Sequence, residues 1–252
     1  GRRVRGTNYS RGYKHEPIEE FIDRSLINLG VDCIDLLQLH CPPSEICSNK
    51  ETYEKMDQIV KKGKIANYGV SVHKLSDAME AIKFPNVKSI QVVFNIFRQK
   101  PAEIFFKEAK KKNVAIIVRG PLASGLLTGT IDQNTKFAEN DHRNYNINGE
   151  AFDVGDTFSG VNFKKGLEAV EKIKLLLPKN ISLTTLALKW ILSHEEVSVV
   201  IPGATNKFQV EMNTEATNQI DVSEILPKII APESLGKRYL QFVDNESNCF
   251  CS

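Results

Sequence analysis

Short apolar runs alternate with stretches of helical periodicity along most of this chain. Ile18, Phe21, Ile22, Leu26 and Leu29 recur at three- and four-residue intervals, the spacing of one helix face. Pro17 suits a first helical turn and Gly30 the residue just past the last one, so the spacing predicts a helix over 17–29. An apolar strand follows over 33–39, with His40 at its end. The same rhythm then repeats. Helices are expected over 50–62 (stopped by Gly63), 74–83 (closed by Pro85) and 101–112 (opened by Pro101), and strands over 65–71, 89–94 and 114–118. Residues 121–163 break the pattern. They are rich in Gly, Asn and Asp and too long for an ordinary connection, which marks a functional or a disordered loop. Periodicity returns with helices over 163–177, 183–193, 207–216 and 223–230 and a strand over 197–201. The tail, 237–252, reads as irregular.

Strands that are continuous apolar runs, separated by helices, imply a parallel sheet covered on both faces. Five strands suit an open doubly wound sheet. They fall short of an eight-unit barrel, although 252 residues is a common length for one. No Gly-x-Gly-x-x-Gly turn follows any strand, which weakens the dinucleotide-fold alternative.

Composition removes several function classes. The chain carries 33 basic and 31 acidic residues, a formal net charge of +2, and so lacks the electrostatic footprint of a nucleic-acid or membrane-surface binder. No apolar run reaches membrane-spanning length, and the basic start, Gly1 to Gly6, precedes no apolar signal core. The five cysteines, Cys33, Cys41, Cys47, Cys249 and Cys251, are odd in number and match no common zinc spacing. They read as free thiols in a reducing cytoplasm, with no metal site.

In parallel α/β folds ligands lie at the C-terminal strand ends. Here those ends carry Gln38 and His40; Gly69 and Ser71; Gln91 and Asn95; Arg119, Gly120 and Pro121; and Gly203, Ala204 and Thr205. The last turn leads into a helix N-terminus, whose free N–H groups suit a phosphate; Thr205 and Asn206 either cap that helix or bond the ligand. His40 is read either as a hydrogen-bonded structural residue or as a neutral imidazole that polarises a carbonyl.

These segments resemble the aldo-keto reductase family, in family order, over about residues 17–216. Ile34-Asp35-Leu36-Leu37-Gln38-Leu39-His40 is similar to the fourth-strand signature. Gly69-Val70-Ser71 resembles the fifth-strand segment, Gln91-Val92-Val93-Phe94-Asn95 the sixth, and the run from Arg119-Gly120-Pro121-Leu122-Ala123-Ser124-Gly125 to Gly129 the seventh-strand cofactor loop. Leu188 to Leu192, then Val200-Ile201-Pro202-Gly203-Ala204, Gln209 and Asn213, resemble the eighth-strand signature. The long loop is similar to that of a bacterial-type subgroup, where it lies over the cofactor.

The resemblance implies one (β/α)8 barrel domain over 1–252 of the aldo-keto reductase type, lacking the first two to three βα units. It also implies reduction of a small-molecule carbonyl with NADPH, or with NADH as the alternative cofactor. His40 is then the catalytic residue that orients and polarises the carbonyl. Ser71 and Gln91 hold the nicotinamide carboxamide. Arg119 occupies the place of a ring-stacking aromatic. Gly120, Pro121, Leu122, Ser124 and Gly125 line the pyrophosphate region, Gly203, Ala204, Thr205 and Asn206 the 2′-phosphate end, and Gln209 and Asn213 the adenine.

Three departures accompany the match. The family's Asp, Tyr and Lys come from barrel units for which nothing precedes Gly1, so the segment is expected to be at best feebly active; Tyr9, Tyr13 and Lys14 are not assigned those roles. Thr205 and Asn206 stand where basic residues are common, with Lys207 one position late, so nicotinamide binding is better founded than NADPH preference. Cys249-Phe250-Cys251-Ser252 formally fits a prenylation box but follows an acidic stretch, and is read as a chance match. The competing reading is a non-catalytic nucleotide-binding subunit resembling potassium-channel β subunits.

Overall fold

The computed structural model describes residues 18–218 and 221–230. The tail over 237–252, the Cys249–Ser252 box, and Tyr9, Tyr13, Lys14 and Pro17 lie outside them. Five strands are joined in the order β1-β2-β3-β4-β5: Ile34–His40, Ile65–Ser71, Val87–Val93, Ala115–Arg119 and Val197–Val200. β1 and β2 pair in parallel, as do β2 and β3. An open doubly wound sheet reverses its strand order at a switch point. Strictly sequential order is instead that of a (β/α) barrel, so the topology decides between the two architectures left open above.

The chain divides into two compact units, Gly1–Val92 with Ile104–Ile117, and Val93–Glu103 with Val118–Ser252. In the first, helix α1 (Ile18–Leu29) precedes β1. A short helix α2 (Ser44–Cys47), not expected from periodicity, follows Pro42-Pro43. Helix α3 (Lys50–Lys61) is capped by Asn49, whose side chain accepts from Glu51 N, and packs on β2 with Tyr53, Met56 and Ile59 buried at three-residue spacing. Tyr53 stacks on Phe84 at 3.8 Å between centroids and donates to the Cys47 carbonyl. Helix α4 is Leu75–Ala81.

The expected helix over 101–112 is two pieces, α5 (Lys100–Ile104) and α6 (Phe106–Lys111). The interruption falls at Phe105, and both it and Phe106 are fully buried. Successive positions on an unbroken helix point about 100° apart, so the break accommodates two adjacent buried rings.

In the second unit the long loop is not structureless. It holds a 3₁₀ segment (Ala123–Thr128), a short helix α7 (His142–Tyr145) and two 3₁₀ turns (Val154–Asp156 and Phe158–Gly160). Helix α8 (Phe163–Lys174) is capped by Asn162. Helix α9 (Leu183–Leu192), capped by Ser182, is apolar nearly all round and correspondingly buried, and it packs on β5 and on helix α10 (Lys207–Glu215). Trp190 of α9 stacks on Phe94, with His194 edge-on to both rings. The final helix, α11, is Leu226–Ile230 and not 223–230. Pro227 lacks the N–H that an interior helical position needs, so it is tolerated only in the first turn.

Candidate active site and its relatives

In the first unit, register places His40 beside Ser71 and Ser71 beside Gln91. Parallel neighbours in register share a sheet face, so the three form one row at the C-terminal strand ends. The Ser71 hydroxyl, fully buried, donates to Gln91 Oε1 at 3.2 Å. His40 is exposed. Strand β1 extends through His40 and β4 through Arg119, so both residues sit inside their strands and not just past them.

One row deeper on the same face, Gln38 is in register with Gly69 and Gly69 with Ser89. Gln38 Nε2 donates to Ser89 Oγ at 2.5 Å, passing over Gly69. A Cβ on Gly69 would fall on Ser89 Oγ and on the Ser89 carbonyl and lie 2.6 Å from Gln38 Nε2. The glycine is therefore required both by the crossing bond and by the close approach of the β3 backbone. Gln38 Oε1 is buried and has no hydrogen-bond partner. Sequence reasoning named no role for Gln38 or Ser89; the glycine inside β2 was the signal for them.

The second unit gathers the β4 end and the loop. Arg119, expected to stack on a ring, forms an ion pair with Asp156, and both side chains are about one-sixth exposed or less (16% and 15%). Ser124, expected to cradle phosphate with its hydroxyl, uses it internally, donating to the Asp156 carbonyl at 3.2 Å and accepting from Phe158 N at 3.0 Å. Gly120 and Gly125 both have positive φ, a conformation that glycine adopts without strain. Arg98 lies against Gly155, where a Cβ would strike its guanidinium. Burial holds the Arg98 side chain below the usual arginine range, offset in part by Asp153.

At the other expected end, Gly203 and Ala204 lie on the exposed link between β5 and α10. Asn206 caps α10, accepting from Gln209 N at 2.9 Å, so the capping reading describes its side chain. Gln209, expected at the adenine, accepts from Thr205 N at 2.7 Å and from Thr205 Oγ at 3.1 Å. Asn213 donates to the Gly203 carbonyl at 3.3 Å, and Lys207 pairs with Glu211 along the helix.

Cys33, Cys41 and Cys47 are free thiols, as expected; Cys249 and Cys251 lie outside the described residues. Among the described residues no helix is long and apolar enough to cross a membrane.

A sequential α/β sheet with polar rows at its C-terminal strand ends defines a barrel-class protein. The sequence profile of the Aldo/keto reductase family matches residues 4–225, and the chain belongs to that family. It is 28% identical over 221 residues to the uncharacterised oxidoreductase YqkF of Bacillus subtilis, covering 85% of this chain and 66% of that protein. It is 30% identical over 230 residues to the NADP(+) aldo-keto reductase yakc of Schizosaccharomyces pombe, covering 88% of this chain and 65% of that protein. The structure of glycerol dehydrogenase from Gluconobacter oxydans shares the fold, with a TM-score of 0.69 at 24% identity over 92% of this chain and 68% of that one. The chain thus spans somewhat under two-thirds of the length of these two curated relatives.

Proposed function

We propose that the chain forms the nicotinamide-holding part of an NAD(P)H-dependent carbonyl reductase. The observation that carries this reading is the His40–Ser71–Gln91 row, three chemically distinct groups in register on one sheet face.

The residues present fit a carboxamide. With its Oε1 engaged by Ser71, Gln91 keeps its Nε2 donors for a ligand carbonyl. The buried Gln38 Oε1, one row below, adds an unused acceptor to the same face. Ser71 fixes the Gln91 amide, and that amide selects the face presented. When bound, the reduced nicotinamide supplies a hydride. His40 orients and polarises the substrate carbonyl through its imidazole. Gly120, Pro121, Leu122, Ser124 and Gly125 hold the pyrophosphate region chiefly through backbone groups, since the Ser124 hydroxyl is committed.

The α10 end fits a 2′-phosphate less well. Thr205 and Gln209 close on each other, and the nearest cation, Lys207, faces Glu211. NADPH remains the first choice on family grounds and NADH the alternative.

Thermal melting of the purified chain tests this reading. A rise in melting temperature with NADPH or NADH that Gln91→Ala diminishes supports it, and no rise with either nucleotide overturns it. Nucleotide consumption with a panel of aldehydes and ketones, abolished by His40→Ala, separates the reductase from a non-catalytic binding subunit.

A further inference from the structure

Asn95 is fully buried at the end of β3 and makes four hydrogen bonds. Its Nδ2 donates to the Gly120 carbonyl at 2.8 Å and to Ser159 Oγ at 2.7 Å. Its Oδ1 accepts from Phe97 N at 2.9 Å and from Arg98 N at 3.1 Å. Both donors and both acceptor positions of the amide are filled, so the group cannot rotate without breaking its network.

The segments it joins are themselves constrained. Gly120, Ala123 and Ser124 after β4, and Phe158 and Ser159 in the loop, all have φ between 47° and 60°. Four of these five are not glycine. L-residues hold that region only where the surroundings over-determine it. Ser124 supplies a second tie between the same segments, through the Asp156 carbonyl and Phe158 N. Arg119 and Asp156 supply a third.

We propose that Asn95 is a positioning residue for the dinucleotide: by donating at once to Gly120 and Ser159 it sets the turn after β4 and the loop segment over 154–160 in one fixed relation. The proposal rests on the nicotinamide reading for its ligand and on the hydrogen bonds alone for its mechanism. Only an amide meets the requirement. An aspartate keeps both acceptor contacts but turns an oxygen toward the Gly120 carbonyl.

Amide hydrogen exchange of the full chain, followed by peptide, tests this in Asn95→Asp and Ser159→Ala alongside NADPH titration. Asn95→Asp is expected to quicken exchange over 118–124 and 154–161, to leave α9 unchanged, and to weaken NADPH binding about tenfold. Ser159→Ala is expected to quicken 154–161 alone. A merely structural role would speed exchange through α9 as well, and that result overturns the proposal. Unchanged exchange over 118–124 in Asn95→Asp also overturns it. If Asn95→Asp fails to fold, Ser159→Ala decides, and unaltered exchange over 154–161 is fatal. If the wild-type chain binds no nucleotide while Asn95→Asp shows the local exchange pattern, the nicotinamide reading falls, and with it the dinucleotide as the ligand, while the tie between the two segments stands.

Discussion

The hydroxyl of Ser71 donates to Oε1 of Gln91, 3.2 Å away on the neighbouring strand, and so fixes which way that amide faces; in the proposed function its Nε2 end meets the nicotinamide. Gln91→Ala is therefore expected to weaken dinucleotide binding about tenfold, the equivalent of about 1.4 kcal/mol. Gln91→Glu should weaken it further, because the donor becomes an acceptor. Ser71→Ala should have a smaller effect, since the amide then turns freely. Fluorescence titration reads all three, and unaltered affinity in Gln91→Ala contradicts the assignment.

Gly69 lies beneath the Gln38–Ser89 bond. Gly69→Ala is expected to cost about 1–3 kcal/mol in denaturant unfolding, as overpacking of a filled space does. Adding Ser89→Ala should not restore the loss, because the Ser89 backbone carbonyl also lies in the path of the new methyl. Full rescue by the double variant would show that the contact is between side chains only.

Arg119 and Asp156 are both largely buried. Asp156→Ala leaves the guanidinium without this partner and should destabilise by about 3–5 kcal/mol. Replacing both, as Arg119→Met with Asp156→Leu, should recover much of that, since no buried charge remains. A double-mutant cycle measures the coupling. Additive losses would mean that the pair contributes nothing beyond its separate side chains.

Asp141 is held down to about 2, first by the hydrogen bonds from the Arg143 side chain. Its folded value lies below the ordinary 3.8, so the pair contributes fully above that value and the contribution is lost as pH falls through about 2. Asp141→Asn keeps the capping oxygen that accepts from Arg143 N and removes only the charge. With Asp141 and Arg143 side chains 21% and 31% exposed, the expected loss at neutral pH is about 1 kcal/mol after solvent screening. It should shrink toward zero at the acid end. Unfolding curves across the acid range provide the measurement, and a difference independent of pH would exclude the ion pair as its source.

Cys47 is pushed up to about 12, chiefly by burial and next by the nearby Asp77, whereas Cys33 is exposed. A thiol reagent at about pH 8 should modify Cys33 in the folded chain and reach Cys41 and Cys47 only on unfolding. Mass spectrometry of labelled peptides shows the order. Early labelling of Cys47 would mean that its pocket opens readily.

Much of the fold was legible because periodicity reports burial directly. The five strands, and helices such as Lys50–Lys61 with its following Gly63, follow from spacing and punctuation. The misjudged elements have local causes: two adjacent buried phenylalanines break 101–112, and Pro227 delays the last helix. The site was legible only as residue types at strand ends. Asn95 and Gln38 lie inside recognised segments but were given no role, Ser89 and Asp156 lie outside those segments, and the contacts of all of these, and of Ser159, are with partners 25 to 64 positions away.

The sequence by itself determined the alternation of strand and helix, the family and the polar chemistry at each strand end, because these depend on local spacing and residue type. Only the tertiary structure decided the sequential strand order, the crossing of Gln38 over Gly69, the pairing of Arg119 with Asp156, and the turning of Gln209 onto Thr205. Strand register and loop closure fix which polar groups meet, and one residue of slip in a strand would reverse every face.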